Sequence, residues 1–413
     1  MLLKLAAVLP CLLAITACDR QPAASLPQRA YVWQREWTPA VSAAVTQASP
    51  RLAGLIIFGA EITWRDGKIK PVHCLIDWKT LRELHKPVAI AMRIAPWPGP
   101  FDNASSTEEL VKQAKALLQK AELEKVECAE LQIDFDCAQR KLEGYALWLK
   151  ALRSAVKPVR LVITALPAWL DEKALPALLV ETDGWVLQVH SAMPEAPGAQ
   201  VATCDPERAR RWVAKAVKLH RPFEVALSTY SAQAGYAPDG KLVGLALDGI
   251  QPSWPAGTRI MQFDSDAAAL TQLTNEWQAL RPTGMQGILW YRLPVATDQR
   301  NWRWPTFAAV IEGRPPSHHL SVRTEGEELL DLSVVNDGEA DEDLKGVRVR
   351  VTWEGAGPLA SEALPGWTLN IENSQSLIIS SLAQTQRLPP GAHRSMGWLR
   401  FDHPTLHRVE IVR

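Results

Sequence analysis

The sequence lacks an excess of either charge, and it lacks a long apolar run. Its 413 residues carry 45 basic and 45 acidic side chains. This balance argues against a nucleic-acid surface and against a polybasic membrane-docking face, because both need a basic excess. Glycine-rich nucleotide loops and zinc-type Cys/His spacings are also missing, so the sequence predicts no cofactor and no metal. Apolar residues make up 47% of the chain, which excludes wholesale disorder.

The N-terminal apolar run is shorter than the roughly 20 residues that a membrane span needs. Residues 1–17 combine the basic Lys4, an apolar segment and small residues, which predicts a secretory signal peptide. Their end, Ile15-Thr16-Ala17-Cys18, resembles the lipobox of bacterial lipoproteins. That resemblance implies that Cys18 carries lipid, including palmitate, as the first residue of the mature chain. A plain secretory signal cut elsewhere is the alternative.

This signal predicts a cell-envelope lipoprotein that is anchored to a membrane and faces the periplasm. Asp19 favours the inner membrane in some bacterial lipoproteins, although the choice of membrane stays open here. Residues 18–29, rich in Pro, Ala and Ser, are predicted to be a tether.

Cysteine is scarce in the rest of the chain, with Cys74, Cys128, Cys137 and Cys204 remaining after the signal and Cys18. Cys128 and Cys137 flank one predicted strand, so about 30 Å separates them and they do not pair. Two interpretations remain open: a bridge between Cys74 and Cys204, or free buried thiols.

Eight strand-like apolar runs alternate with helical patterns between residues 30 and 313. The predicted strands are Tyr31–Trp37, Gly54–Ala60, Val88–Ile94, Ala129–Asp136, Arg160–Leu166, Trp185–His190, Phe223–Tyr230 and Gly287–Leu293. Alternation of this kind implies parallel pairing through helical crossovers. A count of eight predicts an α/β fold, the (β/α)8 TIM barrel, and the competitor is a doubly wound open sheet. The segment Gly235–Gln262, after strand seven, is either a lid or a decorative loop.

Short β-type runs replace this pattern after residue 313. They are His319–Arg323, Leu329–Val335, Gly346–Trp353, Trp367–Ile371, Leu377–Ile379, Met396–Phe401 and Val409–Val412. Residues 318–413 are therefore predicted to form a small all-β, sandwich-like domain. It is interpreted either as a structural partner of the barrel or as a glycan-binding module.

Residues that carry chemistry are expected at the C-terminal ends of barrel strands. On strand four, Gln132, Asp134 and Asp136 alternate with apolar residues and so point into the barrel. Two neighbouring inward carboxylates raise the pKa of one of them, which suits a general acid. Asp134 and Asp136 are therefore the predicted catalytic pair, and the alternative is a structural pair satisfied by Arg or backbone amides.

Polar and aromatic residues near other strand ends extend this candidate site. The predicted ligand-binding residues are Gln132, Glu61, Arg93, Gln188, His190, Tyr230, Trp33, Trp97, Trp290, Tyr291 and Arg292. Tryptophan is unusually abundant, at 17 residues against 5 Tyr and 7 Phe. Eight of them lie near predicted strand ends, where flat rings suit stacking on sugars: Trp33, Trp37, Trp64, Trp97, Trp169, Trp290, Trp302 and Trp304.

The run from Leu131 to Asp136, with the helix that follows, resembles strand four of glycoside-hydrolase barrels, especially the chitinase-like family 18. That family's pattern is Asp-x-x-Asp-x-Asp-x-Glu, in which the Glu is the general acid. Two alignments remain open. One places Ala138 at the acid position, which removes the acid. The other places Asp136 there, with Asp134 as its supporting Asp and Gln132 replacing the earlier one.

The barrel as a whole resembles a bacterial lipoprotein family of unknown function, domain of unknown function 3142. The matching segments are Gln132–Cys137, Ile163–Leu170, Val186–His190 and Trp290–Pro294. These resemblances imply one of two functions. The first is an envelope glycoside hydrolase that processes a polysaccharide by carboxylate acid/base chemistry. The second is a non-catalytic carbohydrate-binding or envelope-assembly lipoprotein.

Overall fold

The structure, a computed structural model, describes residues 25–65, 68–191, 202–247, 253–384 and 386–412. The predicted signal peptide, the lipidated Cys18 and most of the predicted tether lie outside these residues. Among the residues that are described, no helix has the length and apolarity that crossing a membrane requires.

Twelve strands and eight helices build the first part of the described chain. The strands are β1 (Gln28–Val32), β2 (Gly54–Arg65), β3 (Lys68–His73), β4 (Val88–Ile94), β5 (Cys128–Phe135), β6 (Arg160–Ala165), β7 (Gly184–Gln188), β8 (Phe223–Ser228), β9 (Ala232–Tyr236), β10 (Leu242–Ala246), β11 (Arg259–Phe263) and β12 (Met285–Tyr291). The helices are α1 (Pro39–Ala48), α2 (Trp78–Glu83), α3 (Ala104–Leu123), α4 (Leu142–Val156), α5 (Leu175–Val180), α6 (Pro206–Val217), α7 (Ala267–Ala279) and α8 (Trp304–Ile311).

Eight of these strands close into a parallel barrel. Their order is β1-β2-β4-β5-β6-β7-β8-β12, and β12 pairs with β1 to complete the ring. The predicted TIM barrel is therefore confirmed, and each of the eight predicted runs overlaps a barrel strand. The first strand begins earlier than expected, at Gln28, so the predicted tether overlaps it.

The barrel wall separates two apolar layers. Inside it, small and branched side chains such as Ala89, Ala91 and Val186 fill the lumen. Outside it, Ile133, Phe135 and their equivalents on other strands pack against the helices. This division follows from strand alternation, because successive side chains point to opposite faces of a sheet.

Two hairpin-like excursions rise beyond the barrel strands. β2 is twelve residues long, and β3 folds back on it as an antiparallel partner. After β8, the strands β9, β10 and β11 form a small antiparallel sheet that overlaps the predicted segment Gly235–Gln262. The Pro238-Asp239-Gly240 turn joins β9 to β10, with Gly240 at a φ of 83° that favours glycine.

The C-terminal domain is a pair of four-stranded antiparallel sheets with a small two-stranded ribbon. Its strands are β13 (Leu320–Glu325), β14 (Leu329–Asn336), β15 (Glu342–Asp343), β16 (Arg348–Trp353), β17 (Ala360–Ala363), β18 (Trp367–Asn373), β19 (Ser376–Ser381), β20 (Arg387–Leu388), β21 (His393–Arg400) and β22 (His407–Val412). Apolar residues of both large sheets form one core, so the sandwich prediction is confirmed.

The four cysteines in the described part of the chain are free. Cys137 and Cys204 are buried, and Cys74 and Cys128 are half-buried. Of the two interpretations of these cysteines, the structure supports free thiols and not a bridge between Cys74 and Cys204.

Candidate functional site

A cleft of about 890 Å³ opens at the carboxyl ends of the barrel strands. Loops and strand ends from around the ring contribute to its walls. Nine of the predicted site residues line it: Trp33, Arg93, Asp134, Asp136, Gln188, His190, Tyr230, Tyr291 and Arg292. The structure therefore places most of the predicted site residues in one concave polar cleft.

Asp134 forms the floor of the cleft near the end of β5. Its Oδ1 accepts a hydrogen bond of 2.7 Å from the Thr164 hydroxyl and a longer one of 3.4 Å from the Gln188 amide. Burial raises the pKa of Asp134 to about 6, and the nearby Asp136 carboxylate adds to the rise. The Thr164 hydrogen bond and the charge of Arg93 act in the opposite direction. Asp134 therefore titrates close to neutral pH.

Asp136 follows β5 directly, and its side chain opens onto the cleft. None of the described residues forms a hydrogen bond or an ion pair with it. Loss of hydration at the cleft floor raises the pKa of Asp136, while the positive charge of Arg93 opposes the rise. The result is a carboxyl group that is open to a ligand and easier to protonate than an ordinary Asp.

Arg93 lies beside Asp134 and Asp136, but its ion pair among the described residues is with Glu61. Its Nε is 3.9 Å from Oε1 of Glu61, which also pairs with Arg35. Glu61 thus neutralises part of two guanidinium charges. It does not line the cleft, where it was predicted to contact a ligand, and instead pairs with these two arginines.

A ring cluster of neutral donors and acceptors forms the opposite wall. The His190 ring stacks on Tyr291 with ring centroids 5.2 Å apart, and its Nδ1 lies 3.4 Å from the Tyr230 hydroxyl. Burial lowers the pKa of His190 to about 4, so the imidazole is neutral at pH 7. Burial also raises the pKa of both tyrosines, which keeps their hydroxyls protonated. This wall offers hydrogen bonds and ring faces without charge.

Arg292 is held in place by a residue that the sequence pattern did not reveal. Its Nη2 donates to Oδ1 of Asp298 over 2.8 Å, and the other Asp298 oxygen accepts from the Val295 amide. Asp298 lies in the loop after β12, where strand alternation makes no prediction.

Gln132 does not reach the cleft, although it faces the lumen as predicted. Its Oε1 accepts from the Tyr31 hydroxyl at 2.8 Å, and its Nε2 donates to Glu130 at 2.7 Å. Glu130 in turn pairs with Arg29 and Arg160. Gln132 is thus fully buried within a polar column below Asp134, and the prediction that it contacts ligand is wrong.

Most tryptophans near strand ends lie outside the barrel wall. Trp97 packs against Trp64 and Trp148 among the outer helices. Trp290 is fully buried, with its indole N–H bonded to Gln28. Of the eight tryptophans, Trp33 is the one that lines the cleft in the described part of the chain. The prediction that Trp97 and Trp290 bind ligand is therefore wrong.

Three consecutive residues after β1 line the cleft although they are not among the predicted ligand-binding residues. They are Gln34, Arg35 and Glu36. Both polar atoms of the Gln34 amide are buried without a hydrogen-bond partner among the described residues. A buried amide of this kind is costly unless something satisfies it, which marks Gln34 as a candidate ligand contact.

The end of β5 leaves both alignments with the chitinase-like motif open. The strand stops at Phe135, and Ala138 precedes the short 3-10 turn Gln139–Lys141. Under either alignment Asp136 is the last acidic side chain of this segment in the cleft. The described residues contain no group of three or more potential metal ligands.

Comparisons with known proteins agree with this fold. Residues 86–296 match the model of a domain of unknown function, DUF3142. The chain is 13% identical to a spore cortex-lytic enzyme from Bacillus megaterium, with a TM-score of 0.50 over 70% of this chain and 74% of the other. It is 10% identical to a family 18 chitinase from Chromobacterium violaceum, with a TM-score of 0.46 over 93% and 90%.

A chitinase from Bacillus thuringiensis is also 10% identical, with a TM-score of 0.46 over 94% of this chain and all of the other. No curated protein sequence matches the chain. Because the family model spans just over half of the residues, from 86 to 296, the chain belongs to the DUF3142 family, and its fold is similar to that of the spore cortex-lytic enzyme.

Proposed function

We propose that the cleft hydrolyses a glycosidic bond in a polysaccharide or oligosaccharide, with Asp136 as the general acid. The observation that carries this proposal is the open carboxyl group of Asp136, which has no partner among the described residues, beside the buried Asp134. A purely structural pair would be expected to be satisfied by Arg or by backbone amides, and Arg93 instead pairs with Glu61.

In this mechanism Asp136 donates its proton to the oxygen of the leaving sugar as the glycosidic bond breaks. Water then adds to the anomeric carbon, and its proton returns to Asp136. Burial, which raises the pKa of Asp136, favours the protonated form of this residue. The Asp134 carboxylate stabilises the oxocarbenium-like character that develops in the transition state. Tyr230, His190 and Arg292 supply hydrogen bonds that orient the sugar. Hydrolysis should then decline as pH rises and Asp136 loses its proton.

The names of the similar structures support glycans as the substrate class. They include chitinases and a spore cortex-lytic enzyme, and this chain shares their barrel. We further propose that the protein works in the cell envelope as a lipoprotein anchored through Cys18. Labelled palmitate should be incorporated by the wild type and lost in Cys18→Ser, and retention of label in that variant would contradict the anchor.

The central experiment measures release of reducing sugar from an oligosaccharide panel by Asp136→Asn. We expect loss of hydrolysis with an unchanged melting temperature, because the carboxyl group is open to solvent. Asp102→Asn is the matched control, since Asp102 is exposed on the loop after β4 and does not line the cleft. Unchanged turnover in Asp136→Asn would remove Asp136 from the mechanism.

One observation favours the second function, carbohydrate binding without hydrolysis. Asp136 is one methylene shorter than the Glu of the chitinase-like motif, and Gln132 replaces an Asp of that motif in the polar column. A panel glycan that binds without product, and equally well to Asp136→Asn, would support this function against hydrolysis.

A further inference from the structure

The β2–β3 hairpin extends one wall of the cleft. Its cross-strand pairs place Glu61 opposite Val72, Thr63 opposite Lys70, and Arg65 opposite Lys68. Alternate residues of a strand share a face, so these side chains lie on the face that carries Glu61. Glu61 contacts Arg35 and Arg93, which both line the cleft. The face is therefore continuous with the cleft wall.

The other face of the hairpin belongs to the core. Ile62 is fully buried, and Trp64 and Ile69 pack against the outer apolar layer. The hairpin consequently has one anchored apolar face and one solvent-facing polar face. With a rise of about 3.3 Å per residue, the polar face reaches about 13 Å from Glu61 to Arg65.

This polar face concentrates positive charge. Arg65, Lys68 and Lys70 are exposed, and none has an acidic partner among the described residues. Arg65 and Lys68 lie directly opposite each other, an arrangement of like charges that destabilises a strand pair. Since the whole chain has no net charge, this local excess is not a consequence of a basic composition.

We propose that this face, the hairpin strip of Arg65, Lys68 and Lys70, binds an anionic polysaccharide whose sugars carry carboxylate groups. The strip would hold the polymer alongside the cleft, where Arg35 and Arg93 continue the positive charge toward Asp136. A ligand with repeated negative charges relieves the repulsion between the opposed cations. The inference rests on the proposed glycan-processing function and adds the substrate class to it.

An extended polymer fits this strip better than a lipid surface. The strip adjoins the cleft and runs along a strand, and the large apolar side chains Trp64 and Ile69 are turned to the core. Membrane-surface helices and anchors, in contrast, present apolar groups to the bilayer. Binding to anionic lipid through the strip, in place of the polymer, is therefore an outcome that would contradict the proposal.

The test compares a charged polymer with its neutral form. Polygalacturonate carries a carboxylate on each sugar, and its methyl-esterified form keeps the backbone without the charge. We expect wild-type protein to bind polygalacturonate more tightly, and binding should weaken as salt shortens the Debye length to about 10 Å at 0.1 M. In Lys68→Gln/Lys70→Gln, the Kd for polygalacturonate should rise about fivefold or more at low salt.

The matched control is Lys115→Gln/Lys150→Gln, which removes two exposed lysines of α3 and α4 far along the chain from the hairpin. Its Kd should equal that of the wild type. The proposal would be overturned by an unchanged Kd in the hairpin variant or by equal binding of the esterified polymer. The proposal would likewise be overturned if the hairpin variant lost the wild type's binding to phosphatidylglycerol vesicles but still bound polygalacturonate as tightly as the wild type.

The two proposals fail in different ways. If polygalacturonate binds through the strip but neither wild type nor any variant releases sugar, the substrate class holds and hydrolysis is wrong. If neutral oligosaccharides are hydrolysed and the hairpin variant behaves as the wild type on every polymer, hydrolysis holds and the strip is wrong.

Discussion

The Thr164 hydroxyl donates a 2.7 Å hydrogen bond to Oδ1 of Asp134, and so joins the end of β6 to the floor of the cleft. This bond favours the ionised form of a carboxyl group whose pKa burial has raised to about 6. The proton affinity of the cleft floor thus depends on a neighbouring strand.

Replacing Thr164 with Val should raise the pKa of Asp134 further, because a donor to the charged form is lost. A hydrogen bond to a charged group is worth enough to move this pKa by about one unit. NMR titration of the labelled carboxyl group measures the shift directly. Thr271→Val is the control: it removes a buried hydroxyl that donates a hydrogen bond within α7, and the titration of Asp134 should be unchanged in this variant. An unshifted titration in Thr164→Val would contradict the role of this bond.

Replacing Asp134 with Asn should change how stability depends on pH. In the wild type the folded pKa of Asp134, about 6, lies above its ordinary value of 3.8, so the folded state binds this proton more tightly. The stabilising contribution is therefore complete below about pH 4 and lost as pH rises through 6. Between pH 4 and 7 the unfolding free energy of Asp134→Asn should rise by about 2 kcal/mol relative to wild type.

Urea unfolding at pH 4 and at pH 7 provides this comparison, and the difference between the two pH values cancels any fixed packing effect of Asn. Asp102→Asn should follow the wild type at both pH values, because Asp102 is exposed. The raised pKa of Asp134 would be refuted if, between pH 4 and pH 7, the unfolding free energy of the wild type increased relative to that of Asp134→Asn.

Sequence alternation predicted the barrel and much of the site because it follows the geometry of a strand. On β5, Asp134 points inward and Ile133 and Phe135 outward, as expected. The same rule explains the error at Trp290. Its neighbour Tyr291 lines the cleft, so Trp290 must face the helices, and both could not contact one ligand.

Loops and strand register set the limit of this prediction. The aromatic segment after Tyr31 resembles a strand, but pairing of Ala30 with Trp290 and Leu55 fixes β1 at Gln28–Val32. The residues beyond it, including Gln34, then form a loop over the cleft. Trp97 likewise follows its strand end, where alternation no longer applies, and tertiary packing buries it.

Removing Glu130 should destabilise the barrel. Its side chain is 4% exposed and pairs with Arg29 at 3.1 Å and Arg160 at 3.2 Å. Glu130→Ala removes one of the two carboxylates that pair with Arg29, whose partner Glu224 remains, and leaves the buried Gln132 Nε2 donor unsatisfied, at a cost of about 2 kcal/mol of unfolding free energy. Urea unfolding at pH 7 measures this cost. Glu207→Ala breaks an exposed pair with Arg210 and should cost less than about 1 kcal/mol. Equal losses in the two variants would contradict the buried column.

The positions of Trp33 and Trp97 predict opposite effects of replacing each with Ala. Trp97 is buried beside Trp64 and Trp148, so its loss should lower the unfolding free energy by about 3–5 kcal/mol. Trp33 lines the cleft and stacks on Phe58, so its loss should weaken oligosaccharide binding about tenfold with a smaller cost in stability. Calorimetric Kd values and urea unfolding, measured on both variants below their melting temperatures, separate these effects. Weaker sugar binding by folded Trp97→Ala than by Trp33→Ala would show that the tryptophans had been assigned to the wrong sides of the barrel wall.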